Sequence, residues 1–273
     1  MSFDGITILA NEKNAEAVKA AKILKEKVEK RFPIFEKESI TSNSLVFILG
    51  GDGTVLRYSK SVVDKNPLIV GINFGHLGFL SPYDFKDIDT FLEDIFDGRF
   101  YIMKRNLSMV SGKFGEHLFL NDFLVQRDIH SHLINATISI DGVLMGSVIC
   151  DGMLVSTSTG STAYNLSAGG PIIDPKAPVL SIVPMMAHTL LKTPVIVSTE
   201  RKVEIKIEPR NEESYFALSD GDIIDRYKNI EIFEITGTEK YVKFICDYSK
   251  DFFKIVNQKL AWGARDGFGE YLN

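Results

Sequence analysis

The first third of the chain alternates between two hydrophobic periods. Ile6-Thr7-Ile8-Leu9-Ala10 is a short run with β-branched members, bounded by Gly5 and Asn11, and it predicts a buried strand. Then the period changes. Ala17, Val18, Ala21, Leu24 and Val28 recur at helical spacing with Lys19, Lys22, Lys25 and Lys27 between them, which predicts an amphipathic helix capped by Asn14 and ending before Pro33. A second apolar run, Leu45-Val46-Phe47-Ile48-Leu49, leads into Gly50-Gly51-Asp52-Gly53-Thr54; a helix is expected from there to about Val63, and Leu68-Ile69-Val70-Gly71-Ile72 reads as a third strand. Strand, helix, strand, helix, strand implies a parallel sheet with right-handed crossovers. A further helical face, Ile88, Phe91, Leu92, Ile95 and Phe96, stops at Gly98, a suitable C′ residue.

Beyond about residue 103 the texture changes. Short alternating runs such as Ala136-Thr137-Ile138-Ser139-Ile140, Val203-Glu204-Ile205-Lys206-Ile207 and Tyr241-Val242-Lys243-Phe244-Ile245 predict antiparallel strands with one solvated face. Near the end, Phe252, Phe253, Val256 and Leu260 share a helical face. The expected fold class is therefore α/β followed by β. Residues 1–103 are expected to form a Rossmann-like parallel α/β domain, joined by the C-terminal helix 250–273, and residues 104–249 a mostly antiparallel β domain.

Composition narrows the picture. The 273 residues are 45% hydrophobic and 25% charged, which suits a globular protein of one large or two modest domains and excludes wholesale disorder. With 31 Lys and Arg against 36 Asp and Glu, the net charge of -5 provides no general attraction to nucleic acid or an anionic membrane. Any phosphate must be held locally. Cys150 and Cys246 lie in apolar stretches and read as buried free thiols of a reducing compartment. The first residues lack a secretory pattern and no run of about 18 apolar residues occurs, so a cytoplasmic, unanchored protein is expected.

Two segments carry chemistry. Gly50-Gly51-Asp52-Gly53-Thr54 stands between a strand and a helix, where glycines let the backbone approach an anion, the helix N-terminus supplies partial positive charge, and Thr54 adds a hydroxyl. Asp52 is the odd member. Its charge repels phosphate, so it suits catalysis or metal positioning better than phosphate binding; a tight turn capped by Asp52 is the alternative. The patterns of P-loop NTPases and of the dehydrogenase glycine fingerprint are missing. The second segment runs from Asp151 to Pro171: an apolar strand opens into hydroxyl side chains from Ser156 to Thr162 around Gly160, followed by a small-residue helix with one aromatic, Tyr164. Such groups satisfy ribose, phosphate and base edges and offer a stacking face.

Together, in this order and separation, the two segments resemble the NAD kinases. Gly71 to Leu80, Leu120-Asn121-Asp122 and Pro184 to Leu190 agree with that family. The resemblance implies phosphoryl transfer from ATP, or polyphosphate, to the 2′-hydroxyl of the adenosine ribose of NAD, making NADP. It implies Asp52 as proton acceptor, with Gly50, Gly51, Gly53 and Thr54 against the nucleotide and Arg57 on a phosphate. It implies that Asn121, Asp122 and Asp151 contact the dinucleotide, that Thr162, Ala163, Tyr164, Asn165, Leu166 and Ser167 form its adenosine side, and that Ala187 and Asp222 are adjacent to substrate. Mg²⁺ is expected to arrive with ATP, with no dedicated metal site, and a homodimer or homotetramer is expected. The chain departs from the family at Ser158, usually Pro, at Asp122, usually Glu, at Ile149, often Arg, and at Asp222, Gln in some relatives. His130 and His132 stand two apart without a third ligand and read as surface histidines. Lipid or sugar kinases share the glycine loop alone, and a nucleotide-binding regulator has no need of Asp52.

Overall fold

A computed structural model describes residues 3–187, 193–247 and 250–260. The chain divides into two compact units, one built from the residues up to Met103 and from Val242 onward, the other from Lys104–Tyr241.

The first unit opens with β1 (Ile6–Ala10), α1 (Ala15–Val28), β2 (Leu45–Leu49), α2 (Asp52–Ser61), β3 (Leu68–Asn73), a short β4 (Tyr83–Asp84) and α3 (Ile88–Phe96). The three main strands are parallel, with Ile6 opposite Leu45 and Leu45 opposite Leu68, as the alternation of elements requires. Every residue of β2 and β3 is buried, because helices cover a parallel sheet on both faces. One face, with Leu45, Phe47, Leu49, Val70 and Ile72, packs against Ala17, Ala20, Leu24 and Val28 of α1 and Phe91, Leu92 and Ile95 of α3. The Asn14 side chain caps α1 by accepting from the backbone N–H groups of Glu16 and Ala17, and Gly98 closes α3 at a φ of 75°.

The second unit holds β5 (Tyr101–Gly112), β6 (Gly115–Phe119), β7 (Asp122–Arg127), β8 (Ile134–Ile140), β9 (Val143–Cys150), β10 (Gly152–Thr157), α4 (Tyr164–Ser167), β11 (Val179–Met185), β12 (Val195–Ser198), β13 (Val203–Glu208), β14 (Tyr215–Ser219), β15 (Asp222–Tyr227) and β16 (Glu231–Cys246). β16 is far longer than the short strand its local alternation predicts. Its last residues belong to the first unit, where Lys243 and Phe244 pair in parallel with Leu68 and Ile69. The chain then enters α5 (Phe252–Leu260), whose Phe252 ring lies 6.0 Å from that of Phe79. The expected helix residues beyond 260 lie outside the described residues.

Within the second unit two antiparallel sheets enclose one core. Their orders are β12-β11-β10-β7-β14-β15 and β16-β13-β8-β9. Phe123, Val125, Met153, Val155 and Ile182 from the first meet Ala136, Ile138, Val203, Ile205, Ile207 and Phe233 from the second. The in-out alternation along β13 is thus a direct record of which face meets the core. β10 departs from alternation and is buried throughout. Its other face, with Leu154, joins Leu124, Val183 and Met185 in a smaller cluster against which Ala168 packs, so the segment after β10 lies on that sheet's outer face.

Both cysteines are buried thiols outside any disulfide. Desolvation in this core pushes the Cys150 thiol up to about 12. Cys150 should therefore stay silent to Ellman's reagent at about pH 8 in the folded protein and react after denaturation; rapid labelling of Cys150 in the native state contradicts its burial.

Candidate active site

In the first unit, Gly50 leaves β2 at a φ of 152° and donates its N–H to the Ile72 carbonyl at 2.8 Å, and Gly51 stands at the N-cap of α2. Thr54 is buried against Gly50, while the positions where Gly51 and Gly53 would carry a side chain face open space. That open space belongs to a cleft of about 490 Å³ lined by Asn11, Glu12, Lys13, Gly51, Gly53, Thr54 and Arg57. The Arg57 guanidinium is exposed and lies 5.1 Å from the Tyr58 ring centroid. Lys13 shares this cleft although no motif pointed to it.

Asp52 begins α2, and its carboxylate is held by the loop after β3. Oδ1 accepts from the Leu80 N–H at 3.0 Å, the Ser81 N–H at 3.0 Å and the Ser81 hydroxyl at 2.8 Å, and Oδ2 accepts from the Phe79 N–H at 2.8 Å. A carboxylate offers about four acceptor positions, so the remaining capacity lies on Oδ2. Gly78 is what permits this grip, since a Cβ there would sit 2.0 Å from Asp52 Oδ1. From below, the Asn73 side-chain amide donates to the Ser81 carbonyl at 2.7 Å. The family-like segment from Gly71 to Leu80 thus works as a cradle for Asp52, a role its spacing did not disclose, and His76 in the same stretch is exposed.

The second unit collects the remaining candidates around the starts of β7 and the end of β10. The Asn121 carbonyl accepts from the Thr157 N–H at 2.9 Å and the Ser156 hydroxyl at 3.1 Å, and the Thr157 hydroxyl donates to the Leu120 carbonyl at 2.6 Å. Gly160 must lack a side chain, because a Cβ would lie 2.1 Å from the Asn121 oxygen. On the opposite side, Asp220 accepts from the N–H groups of Leu120, Asn121 and Asp122 at 3.0, 2.7 and 3.1 Å. Asp122 itself is buried. Asp151 is paired with Arg127, Nε to Oδ1 at 2.5 Å, and the same guanidinium donates to the carbonyls of Asp128, Ile129 and Ser131.

After β10 the chain makes a 3₁₀ turn over Thr159–Thr162, passes Ala163 in a non-helical conformation and forms the single turn of α4. Thr162 and Ala163 are half-buried and Tyr164 and Ser167 are exposed. Asn165 is fully buried, and its amide donates to the carbonyls of Ser161 and Pro171, so this side chain shapes the turn from inside. Leu166 is half-buried. Ser158 directs its hydroxyl to the carbonyls of Ala177 and Val179, a contact that ties the loop down at the position where the resemblance leads one to expect Pro. Ala187 packs at the margin of the unit's core, Asp222 is exposed at the start of β15, and Ile149 is exposed on β9. His188 lies outside the described residues.

His130 and His132 occupy a turn region instead of a strand face, and His132 Nδ1 lies 2.8 Å from Glu213 Oε1. The backbone N–H and ring of His132 hold the Glu213 carboxyl below the usual carboxylate range. Among the described residues no group of three or more His, Cys, Asp or Glu could hold a metal ion. Asp220, Arg127 and Ser81 were missed by sequence reasoning. For Asp220 a signal existed: Asp-Gly between two strands marks a two-residue hairpin turn, here with φ of 51° at Asp220 and 84° at Gly221.

Comparison with known proteins bears on these groups. Residues 4–100 match the family model described as ATP-NAD kinase N-terminal domain, and residues 120–246 match that described as ATP-NAD kinase C-terminal domain. The chain is 33% identical over 265 residues to the NAD kinase of Thermotoga petrophila, covering 95% of this chain and 98% of that one. It is 33% identical over 242 residues to the NAD kinase of Clostridium botulinum, covering 86% and 84%. Among solved structures, yeast NADH kinase complexed with NADH has a TM-score of 0.84 at 21% identity, covering 96% of this chain and 89% of that one. An NAD kinase from Archaeoglobus fulgidus in complex with ATP has a TM-score of 0.74 at 24% identity, covering 92% and 98%. At these identities the solved structures share the fold.

The cradle makes a direct prediction. Gly78→Ala should lower the unfolding free energy by roughly 1–3 kcal/mol in urea titrations, because the new methyl occupies the place of a carboxylate oxygen. An unchanged midpoint would show that Asp52 is not gripped there.

Proposed function

The chain belongs to the NAD kinase family, and from that premise we propose how it makes NADP: the γ-phosphoryl group of ATP passes to the 2′-hydroxyl of the adenosine ribose of NAD, with Asp52 orienting that hydroxyl. Family models over both halves and relatives matched over nearly their whole length make it a phosphotransferase. The observation that carries the finer reading is the held Asp52, whose spare acceptor position lies on Oδ2 at the start of α2 beside two glycines that face open space.

The 2′-oxygen attacks the γ-phosphorus, the bond to the β,γ-bridging oxygen breaks, ADP leaves, and the hydroxyl proton passes to the Asp52 carboxylate. In a loose transition state little nucleophilic push is needed, and positioning with charge neutralisation dominates. The hydrogen bonds from residues 79–81 serve that need by removing the carboxylate's rotational freedom. Donor phosphates, of ATP or of polyphosphate, are assigned to the cleft with Gly51, Gly53, Thr54, Lys13 and Arg57, where the N-terminus of α2 and two cations, set against the one carboxylate of Glu12, answer their charge. Mg²⁺ enters as the Mg-ATP complex.

NAD is assigned to the second unit. Asn121, Asp122 and Asp151 take its polar groups, and Thr162, Ala163, Tyr164 and Ser167 its adenosine, with Tyr164 the exposed ring available for stacking. Asn165 contributes through the shape of the turn. No helix among the described residues is long and apolar enough to cross a membrane. A cytoplasmic homodimer or homotetramer is the assembly that the family resemblance supports.

Purified protein given Mg-ATP and NAD should produce NADP, and NAD binding without product would leave a sensor in place of a kinase. Asp52→Asn should reduce kcat by about a hundredfold or more while the folded variant still binds NAD; near-normal turnover would remove Asp52 from the chemistry. Gly53→Ala, inside a helix and with nothing within 4 Å, should leave thermal stability equal or slightly raised yet increase KM for ATP. If KM does not move, the donor lies elsewhere.

A further inference from the structure

We propose that Asp220, in the turn between β14 and β15, is the positioning residue that sets the Asn121–Asp122 pair for the dinucleotide. Three successive backbone N–H groups, those of Leu120, Asn121 and Asp122, converge on its carboxylate at 2.7 to 3.1 Å. Its own N–H returns to the Asp122 carbonyl at 2.8 Å, which closes the link in both directions. Successive N–H groups around one anion form the concave arrangement known from backbone anion nests. Here the anion is supplied by the protein itself.

The turn is built to deliver this group. Asp220 and Gly221 both have positive φ, the conformation of a two-residue hairpin turn that Asp tolerates and a branched residue resists. Ser219 pairs with Phe123 in the neighbouring strand, so the next residue reaches the start of β7. The segment is also held from its other side, where Thr157 and Ser156 donate to the Asn121 carbonyl. Successive strand residues point to opposite faces. The orientation of these peptide planes therefore decides what Asn121 and Asp122 present, and Asp220 controls the N–H side of three of them. Asp222, two residues on, is exposed at the strand start and takes no part in this grip.

The inference rests on the reading that Asn121 and Asp122 meet NAD, and its test separates the two. Asp220→Ala removes the acceptor, whereas Asp220→Asn keeps the positive φ and one oxygen but turns an NH₂ toward an N–H donor. Equilibrium titration with NAD should show Kd raised about tenfold or more for Ala, equivalent to about 1.4 kcal/mol, and by less for Asn. KM for NAD should follow, while KM for ATP should stay within about twofold. Melting curves run in parallel identify variants that have only lost stability, since Kd and KM of the folded fraction do not depend on how much of it there is. Unchanged NAD affinity in both variants, or equal rises in KM for NAD and ATP, would overturn the proposal. Should the wild type bind NAD without making NADP, the kinase reading falls, and the Kd comparison still decides the role of Asp220.

Discussion

The hydrogen bonds between the Asp52 carboxylate and the backbone of residues 79–81 are the constraint around which the α/β unit is arranged. They join the first residue of α2 to the loop leaving β3, and so connect two crossovers of the parallel sheet at the carboxyl ends of its strands. A buried or half-buried carboxylate is costly unless donors surround it. Four donors meet that cost here, and the glycine at 78 exists because no other residue leaves room for them. The same contacts that stabilise the loop also fix the orientation of the carboxylate to which the proposed function assigns the chemistry.

The β-rich unit applies the same device with different parts. Asp220 gathers the backbone of Leu120–Asp122, and Arg127 holds Asp151 while anchoring itself on three carbonyls. In each case a charged side chain satisfies main-chain or side-chain partners that would otherwise be free to move. Preorganisation of this kind lowers the reorganisation a reacting site must undergo. The sandwich beneath provides the rigid support: β10 is buried on both faces, one against the main core and one beneath the segment that carries Thr162 to Ser167.

The positions at which the resemblance leads one to expect departures differ in what surrounds them. The Ser158 hydroxyl, bound to the Ala177 and Val179 carbonyls, anchors its loop by hydrogen bonding where the expected Pro would do so by a fixed φ. Asp122, where the resemblance leads one to expect Glu, is buried beside the Asp220 turn. Ile149 is exposed on β9, and nothing among the described residues accounts for an apolar residue there.

Periodicity alone determined the parallel first unit, the antiparallel second one, the Asn14 cap and the Gly98 stop, because hydrophobic spacing and capping are local and each element records in its own residues which face it buries. The motifs likewise marked Asp52 and the stretch from Asp151 to Pro171, since glycines and hydroxyls clustered in sequence are clustered in space. The partners of those residues were not legible. Asp52 meets residues 27 to 29 positions away, Asp220 meets a segment about a hundred positions away, and Arg127 reaches Asp151 across neighbouring strands. The full length of β16 escaped for the same reason, its pairing being set by strands far along the chain. Only the tertiary fold decides such contacts, because a hydrogen bond depends on where two groups end in space, and no spacing along the chain encodes that.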